Sequence, residues 1–241
     1  MWSIFNRTKN TPQIFKTDLH SHLLPNLDDG VASFEKAEEI ILVFQEIGFS
    51  KAITTPHIMS DAYRNTPEGI SNKLDELKSY LISRSIDFEI QAAAEYYFDE
   101  AIVAKVNSDE PFLFFGDKYV LFETNTITEP YFLNDFIFKL KIKGYNPVMA
   151  HPERYEYLHN NLERIEDLID RGVYMQVNSL SLAGHYSRPI RRTAEELVQN
   201  KLLHFLGSDC HSPQNARALK EAMRSSAFQK VFNLSLLNYT L

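Results

Sequence analysis

The sequence predicts an α/β fold with about seven parallel strands closed into a barrel, and three observations point to it. Short apolar runs alternate with longer helical patterns along the chain, the arrangement of parallel strands joined by helical crossovers. Neither G-x-G-x-x-G nor G-x-x-x-x-G-K-[ST] occurs, so the open nucleotide-binding sheets lose their signature. Polar residues able to do chemistry fall at the C-terminal ends of nearly every strand, the rim on which barrel active sites are built.

The first strand is expected over 14–19. A helix follows Ser33, a fitting N-cap, with Phe34, Ala37, Ile40, Ile41, Phe44 and Ile47 on one stripe, and stops at Gly48. Residues 49–55 read as the second strand. Thr66-Pro67-Glu68 opens the next helix with a capping threonine and a proline at the first position, and Leu74, Leu77 and Leu81 supply its buried face. Further strands are expected over 88–93, 119–122, 147–150, 173–177 and 203–207. Helices over 132–143 and 162–171 end at Gly144 and Gly172, another runs over 189–200, and a last one starts at about 216. Residues 1–14 form an arm whose Trp2, Ile4 and Phe5 can dock on the rest of the chain or touch a membrane surface. Residues 15–241 read as one domain: no low-complexity linker interrupts them, and a single core can grow to roughly 250 residues.

Composition removes several classes of function. With 25 Lys+Arg against 32 Asp+Glu the net charge is −7, and a phosphate-backbone binder needs a cationic face, so nucleic acid is not expected as the partner. One cysteine forms no internal disulfide, which fits a reducing, cytoplasmic setting. No apolar run reaches the roughly 20 residues that span a bilayer, and the opening residues lack the features of a signal peptide.

The strand ends carry Asp18-Leu19-His20-Ser21-His22, Thr55-Pro56-His57, Ala94-Glu95, Glu123, His151-Pro152-Glu153-Arg154, Asn178 and Ser208-Asp209-Cys210-His211. In a parallel barrel these seven segments converge on one rim. His20 and His22 can aim at one ion where the chain leaves the sheet, and Leu23-Leu24-Pro25 supplies the exit. Together with Asp29, His57, Glu95, His151, Asp209 and His211 they form a set of eight candidate metal ligands. Five imidazoles, three carboxylates and no thiolate suit Mn²⁺, Fe²⁺ or Zn²⁺ better than an all-oxygen site. Eight side chains exceed one ion's needs, so two or three ions with bridging carboxylates are expected, a cluster that activates water and clamps a phosphoryl group. Arg154 can fork onto phosphate oxygens, with a salt bridge to Glu153 or Glu156 as its plain alternative. Glu123 is a ligand, a partner of a ligand histidine, or a polar cap. His159 and His204 are expected to pack or face solvent, and His185, in its loop, to be exposed, with lining the pocket as its alternative.

These segments, with Leu23-Leu24-Pro25, Asp28-Asp29-Gly30, Ala94-Glu95-Tyr96-Tyr97 and Gln176-Val177-Asn178-Ser179, resemble the PHP (polymerase and histidinol phosphatase) superfamily. Within it the D-D-G, H-P-E-R and Q-V-N-S segments look most like the bacterial manganese-dependent protein-tyrosine phosphatases of capsule and exopolysaccharide synthesis. The resemblance runs from about Lys16 to the C-terminal helices. It implies a distorted seven-stranded (β/α)7 TIM-like barrel of the PHP type holding three metal ions, Mn²⁺ foremost. By position, His20, His22, Glu95 and Asp209 hold one ion. Glu95 bridges to a second, held also by His57 or His151, and Asp29 and His211 complete the third.

Arg154 matches the phosphate-binding arginine of the family. A second such arginine is expected at 216, where Ala216 stands and Arg217 comes one residue later. The implied reaction is hydrolysis of phosphotyrosine by metal-activated water, with a tyrosine kinase of capsule synthesis as the protein substrate and a cytoplasmic site of action near the membrane through that substrate. A small-molecule phosphoesterase acting on, for instance, histidinol phosphate and a non-catalytic metal-binding protein are the alternatives. A cysteine phosphatase is disfavoured, because a C-x₅-R loop from Cys210 would need its arginine at Ala216.

Overall fold

Nine strands, all paired in parallel, form one sheet in the computed structural model, which describes residues 15–224 and 226–241. They are β1 (Thr17–Ser21), β2 (Lys51–Thr54), β3 (His57–Ile58), β4 (Glu89–Ala92), β5 (Glu95–Tyr97), β6 (Tyr119–Glu123), β7 (Asn146–Ala150), β8 (Tyr174–Asn178) and β9 (Phe205–Cys210). The helices between them are α1 (Phe34–Ile47), α2 (Pro67–Ser83), α3 (Glu100–Asn107), α4 (Leu133–Ile142), α5 (Leu162–Asp170), α6 (Ser179–Leu182), α7 (Arg188–Gln199), α8 (Pro213–Ala222) and α9 (Ser226–Val231). The arm expected over 1–14 lies outside the described residues.

The expected count of seven strands is corrected to nine, because two β segments break in the middle. Thr55-Pro56 separates β2 from β3, and Ala93-Ala94 separates β4 from β5. Pro56 has no N–H to give a ladder, and Thr55 donates its own to Ser21 O at 2.8 Å. The order is β3-β5-β6-β7-β8-β9-β1-β2-β4. Its two end strands are each continuous in chain with a strand of the opposite limb, and the bonds Ala93 N to Thr54 O (2.9 Å) and Glu95 N to Pro56 O (3.1 Å) carry pairing across both breaks. The sheet therefore curls into a half-barrel.

The curl sorts residues by height. Along β6, β8 and β9 the alternation puts Leu121 with Glu123, Tyr174 with Gln176 and Asn178, and Phe205 with Gly207 and Asp209 on one face. The lower members join Leu19, Ile53 and Val148 in a small apolar cluster, while the upper members are polar. A larger core lies between the sheet and its helices. The helix starts are those their caps dictate: Ser33 accepts from Lys36 N and Thr66 from Gly69 N. The helix expected from about 216 begins earlier, at Pro213, because Ser212 caps it through Asn215 N. Helix α3, capped by Asp99, was not anticipated. No helix among the described residues is long and apolar enough to cross a membrane.

Candidate metal and phosphate site

Three strand ends leave the sheet through left-handed backbone. His20 (φ 77°), His151 (φ 32°) and Asp209 (φ 50°) are non-glycine residues with positive φ, a strained conformation that concentrates at functional sites. At His20 the pairing of β1 with β9 also shifts register. His20 and His22, two residues apart, already share a face of the strand, and the turn sets the angle at which both enter the cleft. Gly207 permits this approach: a Cβ there would stand 2.3 Å from Leu19 O, 2.6 Å from Gln176 Nε2 and 2.9 Å from His20 Cβ.

Three imidazoles are tied by Nδ1 and present Nε2. His20 Nδ1 donates to Gln176 Oε1 at 2.7 Å, His22 Nδ1 to Asp28 Oδ2 at 2.7 Å, and His211 Nδ1 to the Asp209 carbonyl at 3.0 Å. Such bonds fix tautomer and ring orientation in metal-binding histidines. The free nitrogens face carboxylates: His20 Nε2 lies 3.0 Å from Glu95 and 3.4 Å from Asp209, and His22 Nε2 lies 3.5 and 3.6 Å from the same two. His151 Nε2 is 3.0 Å from Glu95 Oε1. His57 turns Nδ1 to Glu95 (3.3 Å) and Glu123 (3.2 Å) and Nε2 to Asp29 (3.5 Å), and His211 Nε2 is also 3.5 Å from Asp29.

Four groups of ligand atoms lie within 4.8 Å of one another: His22, Asp29, His57 and His211; His20, His22 and Glu95; His20, His151 and Asp209; and His57, Glu95 and Glu123. His22 Nε2 and His57 Nδ1 are buried without a hydrogen-bond partner. A buried, unpartnered imidazole nitrogen facing carboxylates fits a shared cation.

The electrostatics agree. Burial disfavours charge on His20, yet Glu95 and Asp209 overcome it and raise its pKa to about 10. Burial is likewise outweighed at His57, chiefly by Glu95, and at His211, chiefly by Asp29, and both rise to about 9. Asp29 falls to about 2 through its bond to His211. Glu95 and Asp209 lie well below the usual carboxylate range, because the surrounding histidines, His20 first, outweigh their burial. The cleft is built for positive charge, protons or metal ions.

All eight expected ligands meet here. Glu123 joins them, its Oε2 3.8 Å from His151 Nε2. Arg154 reaches the same cleft and donates to Asp209 Oδ2 at 3.2 Å rather than to Glu153 or Glu156, and its side chain remains 35% exposed. The ring of Tyr186 lies 5.7 Å from its guanidinium carbon. The cleft, about 440 Å³, is lined further by Met59, Tyr63 and Asn215.

Arg217 is not brought here. It sits exposed on α8 with Nη1 3.9 Å from Glu39 Oε2 of α1. Cys210 is buried, donates to Ser212 O at 3.3 Å, and has its thiol pushed up by burial, which suits a spacer and no nucleophile. His159 bonds to Glu153 O, His204 bridges two strands, and His185 is exposed.

Sequence reasoning missed the bracing residues. Asp28 holds His22 and the His57 and Gly30 amides. Gln176 holds His20, and Asn178 donates to Asp209 Oδ2 at 2.6 Å. Glu153 accepts from Asn178 N and Ser181 Oγ. The period-two spacing of Gln176 and Asn178 was the available signal, since it puts both on the face that carries Asp209 in the next strand.

The profile of a family described as capsular polysaccharide synthesis, CpsB/CapC, matches residues 16–232. The chain is 30% identical over 198 residues to the putative tyrosine-protein phosphatase CapC of Staphylococcus aureus, covering 82% of this chain and 78% of that protein. It is 29% identical over 195 residues to the tyrosine-protein phosphatase YwqE of Bacillus subtilis, covering 81% and 77%. Among solved structures it superposes with a TM-score of 0.75 and 27% identity on one from a study of YwqE from Bacillus subtilis and CpsB from Streptococcus pneumoniae, described as metal-dependent tyrosine phosphatases, covering 91% of this chain and 96% of that one.

Proposed function

The chain belongs to the CpsB/CapC family of capsular polysaccharide synthesis, and on that footing we propose that it is a metal-dependent protein-tyrosine phosphatase, a phosphoric monoester hydrolase. The observation that carries the reading is the convergence of five histidines and four carboxylates on one cleft that also admits a partly exposed arginine. We assign one ion to His20, His22, Glu95 and Asp209, a second to Glu95, Glu123 and His151, and a third to Asp29 and His211, with His57 standing between the second and third. Mn²⁺ is the ion proposed, and Fe²⁺ and Zn²⁺ suit the same donors. Bound there, such ions lower the pKa of water and neutralise phosphoryl oxygens.

The rest falls to the chain itself. Arg154, backed by Tyr186, offers its guanidinium to the phosphoryl group as two parallel donors. Asn178 keeps Asp209 in place when Arg154 turns to substrate. Tyr63, stacked on His57 at 5.5 Å and 15°, and Met59 give the tyrosyl ring an apolar wall at the mouth. The leaving phenolate has a pKa near 10, so the site works without a strong general acid. The protein substrate proposed is a tyrosine kinase of capsule or exopolysaccharide synthesis, met on the cytoplasmic side.

Turnover of phosphotyrosine peptide, phosphoserine peptide and histidinol phosphate, each with chelator and with Mn²⁺, tests the reading. Phosphotyrosine turnover is expected to vanish with chelator, return with Mn²⁺ and exceed the other two. Metal-independent turnover, or preference for histidinol phosphate, overturns it.

A further inference from the structure

Beside the metal cleft lies a larger pocket of about 520 Å³, and the two share Met59 in their walls. Strand alternation explains why they are neighbours. His57 and Glu95 are paired in register on β3 and β5 and face the metal cleft; Ile58 and Tyr96, paired one residue further on, face the opposite side. Both spaces open on the same rim, because the loop after β3 and the start of α3 after β5 form the mouth of the second pocket. That loop is the partition, with Tyr63 on the metal side and Arg64 on the other.

Several polar groups of the second pocket are already engaged. Asp99 accepts from Ser60 N and from the Ala101 and Ile102 amides. Asn65 donates to Leu27 O and His57 O. Tyr96 OH accepts from Leu113 N, and Lys105 pairs with Glu110 at 3.3 Å. What remains for an occupant is an apolar floor of Ile58, Met59, Tyr96 and Ile102, with exposed Asp61, Arg64 and Ala101 at the edge. Arg64 spends its Nε on Ser60 O and has no carboxylate within 4.0 Å among the described residues.

We propose that this pocket takes a large apolar side chain lying close to phosphotyrosine in the protein substrate, with the terminal nitrogens of Arg64 on a neighbouring peptide carbonyl. The proposal rests on the phosphatase reading and deepens it: the metal cleft reads the phosphate and the adjoining pocket reads its sequence context. An apolar floor gains by releasing its water when an apolar side chain covers it and gains little from a polar one.

The test uses Mn²⁺-loaded full-length protein and phosphotyrosine peptides of Gly and Ser in which one leucine or phenylalanine is moved from three residues before phosphotyrosine to three after. One position is expected to raise kcat/KM by roughly 10- to 100-fold over the unsubstituted peptide, the gain from burying one large apolar side chain. Ala101→Trp, made at an exposed wall residue, fills the pocket and should erase that preference while turnover of free phosphotyrosine stays within about twofold. If Ala101→Trp also loses free phosphotyrosine turnover, the smaller plug Ala101→Leu is judged by the same criterion. Equal efficiency on every peptide with the wild-type chain, or a preference that survives the plug, overturns the pocket assignment and leaves the phosphatase reading standing. Failure of free phosphotyrosine turnover in the wild type overturns that reading itself.

Discussion

Arg154 separates catalysis from architecture more sharply than any other single side chain. Its contact with Asp209 at 3.2 Å is one that a structural arginine would also make, but its side chain also lines the cleft and stays partly exposed, within reach of a ligand there. Arg154→Ala is expected to keep its metal ions and lose roughly 30- to 1,000-fold in kcat/KM, on the order of 2 to 4 kcal/mol of transition-state stabilisation. Arg154→Lys should recover little, because a point charge does not reproduce the bidentate fork. Elemental analysis, phosphotyrosine turnover and inhibition by inorganic phosphate on one preparation decide it, and near-normal efficiency in Arg154→Ala would sink the role. At this scale much was legible in the sequence: seven of the eight expected ligands stand at expected strand ends, where the fold class places a site, and Asp29 follows in the D-D-G segment after the first of them. The bracing residues were not, since nothing in the identity of Asp28, Gln176 or Asn178 says whether a polar side chain meets an ion or holds a residue that does. Glu123 stayed open for the same reason, and only its 3.2 Å approach to His57 brings it into the cluster.

Strands and their contacts decide whether those side chains converge. The sequence marks β segments by apolar runs, and the expected strands end at 55 and 93; β3 (His57–Ile58) and β5 (Glu95–Tyr97) follow just beyond those ends and are too short to show a period of their own. Helix α3 was missed because its pattern is short, while the starts at Phe34 and Pro67 were legible from their caps. Gly207 belongs to this scale, because it lets β9 approach β1 where His20 turns. Gly207→Ala should displace Leu19, Gln176 or His20, cost about 1 to 3 kcal/mol in overpacking, and lower bound metal; a variant with unchanged Tm and full metal content would contradict the close approach.

The β8 to β9 junction offers a pH test away from the metal cleft. His204 Nδ1 accepts from Met175 N at 3.1 Å, and burial lowers its pKa. A depressed folded pKa means that its contribution is complete above the unfolded value of about 6.5 and is lost as pH falls from there through the lower folded pKa. The Tm advantage of wild type over His204→Asn should therefore shrink between pH 7.5 and pH 5, and a pH-independent gap would show that His204 is not held neutral.

For the molecule as a whole, the site is assembled from strand ends spread between His20 and His211, so ions that bind it bind the folded chain and not the unfolded one. Ligands of that kind stabilise by mass action, about 2.7 kcal/mol at a hundredfold excess over Kd. For a chain of this size each kcal/mol moves Tm by about 2 to 4 °C, so saturating Mn²⁺ should raise Tm by about 5 to 10 °C over chelated protein. Chelation should nevertheless leave the fold standing. Without ions the imidazoles of His20, His57 and His211 keep their protons up to about pH 9 or 10 and pair with Glu95, Asp209, Glu123 and Asp29, so the carboxylates are not left facing one another uncompensated. The expected record at pH 7 is a single cooperative melt in both states, a Tm that climbs with added Mn²⁺, and turnover present only in the loaded one. A chelated protein already unfolded at room temperature would refute the proton-for-metal exchange, and a chelated protein with unchanged Tm and unchanged turnover would refute the metal site itself.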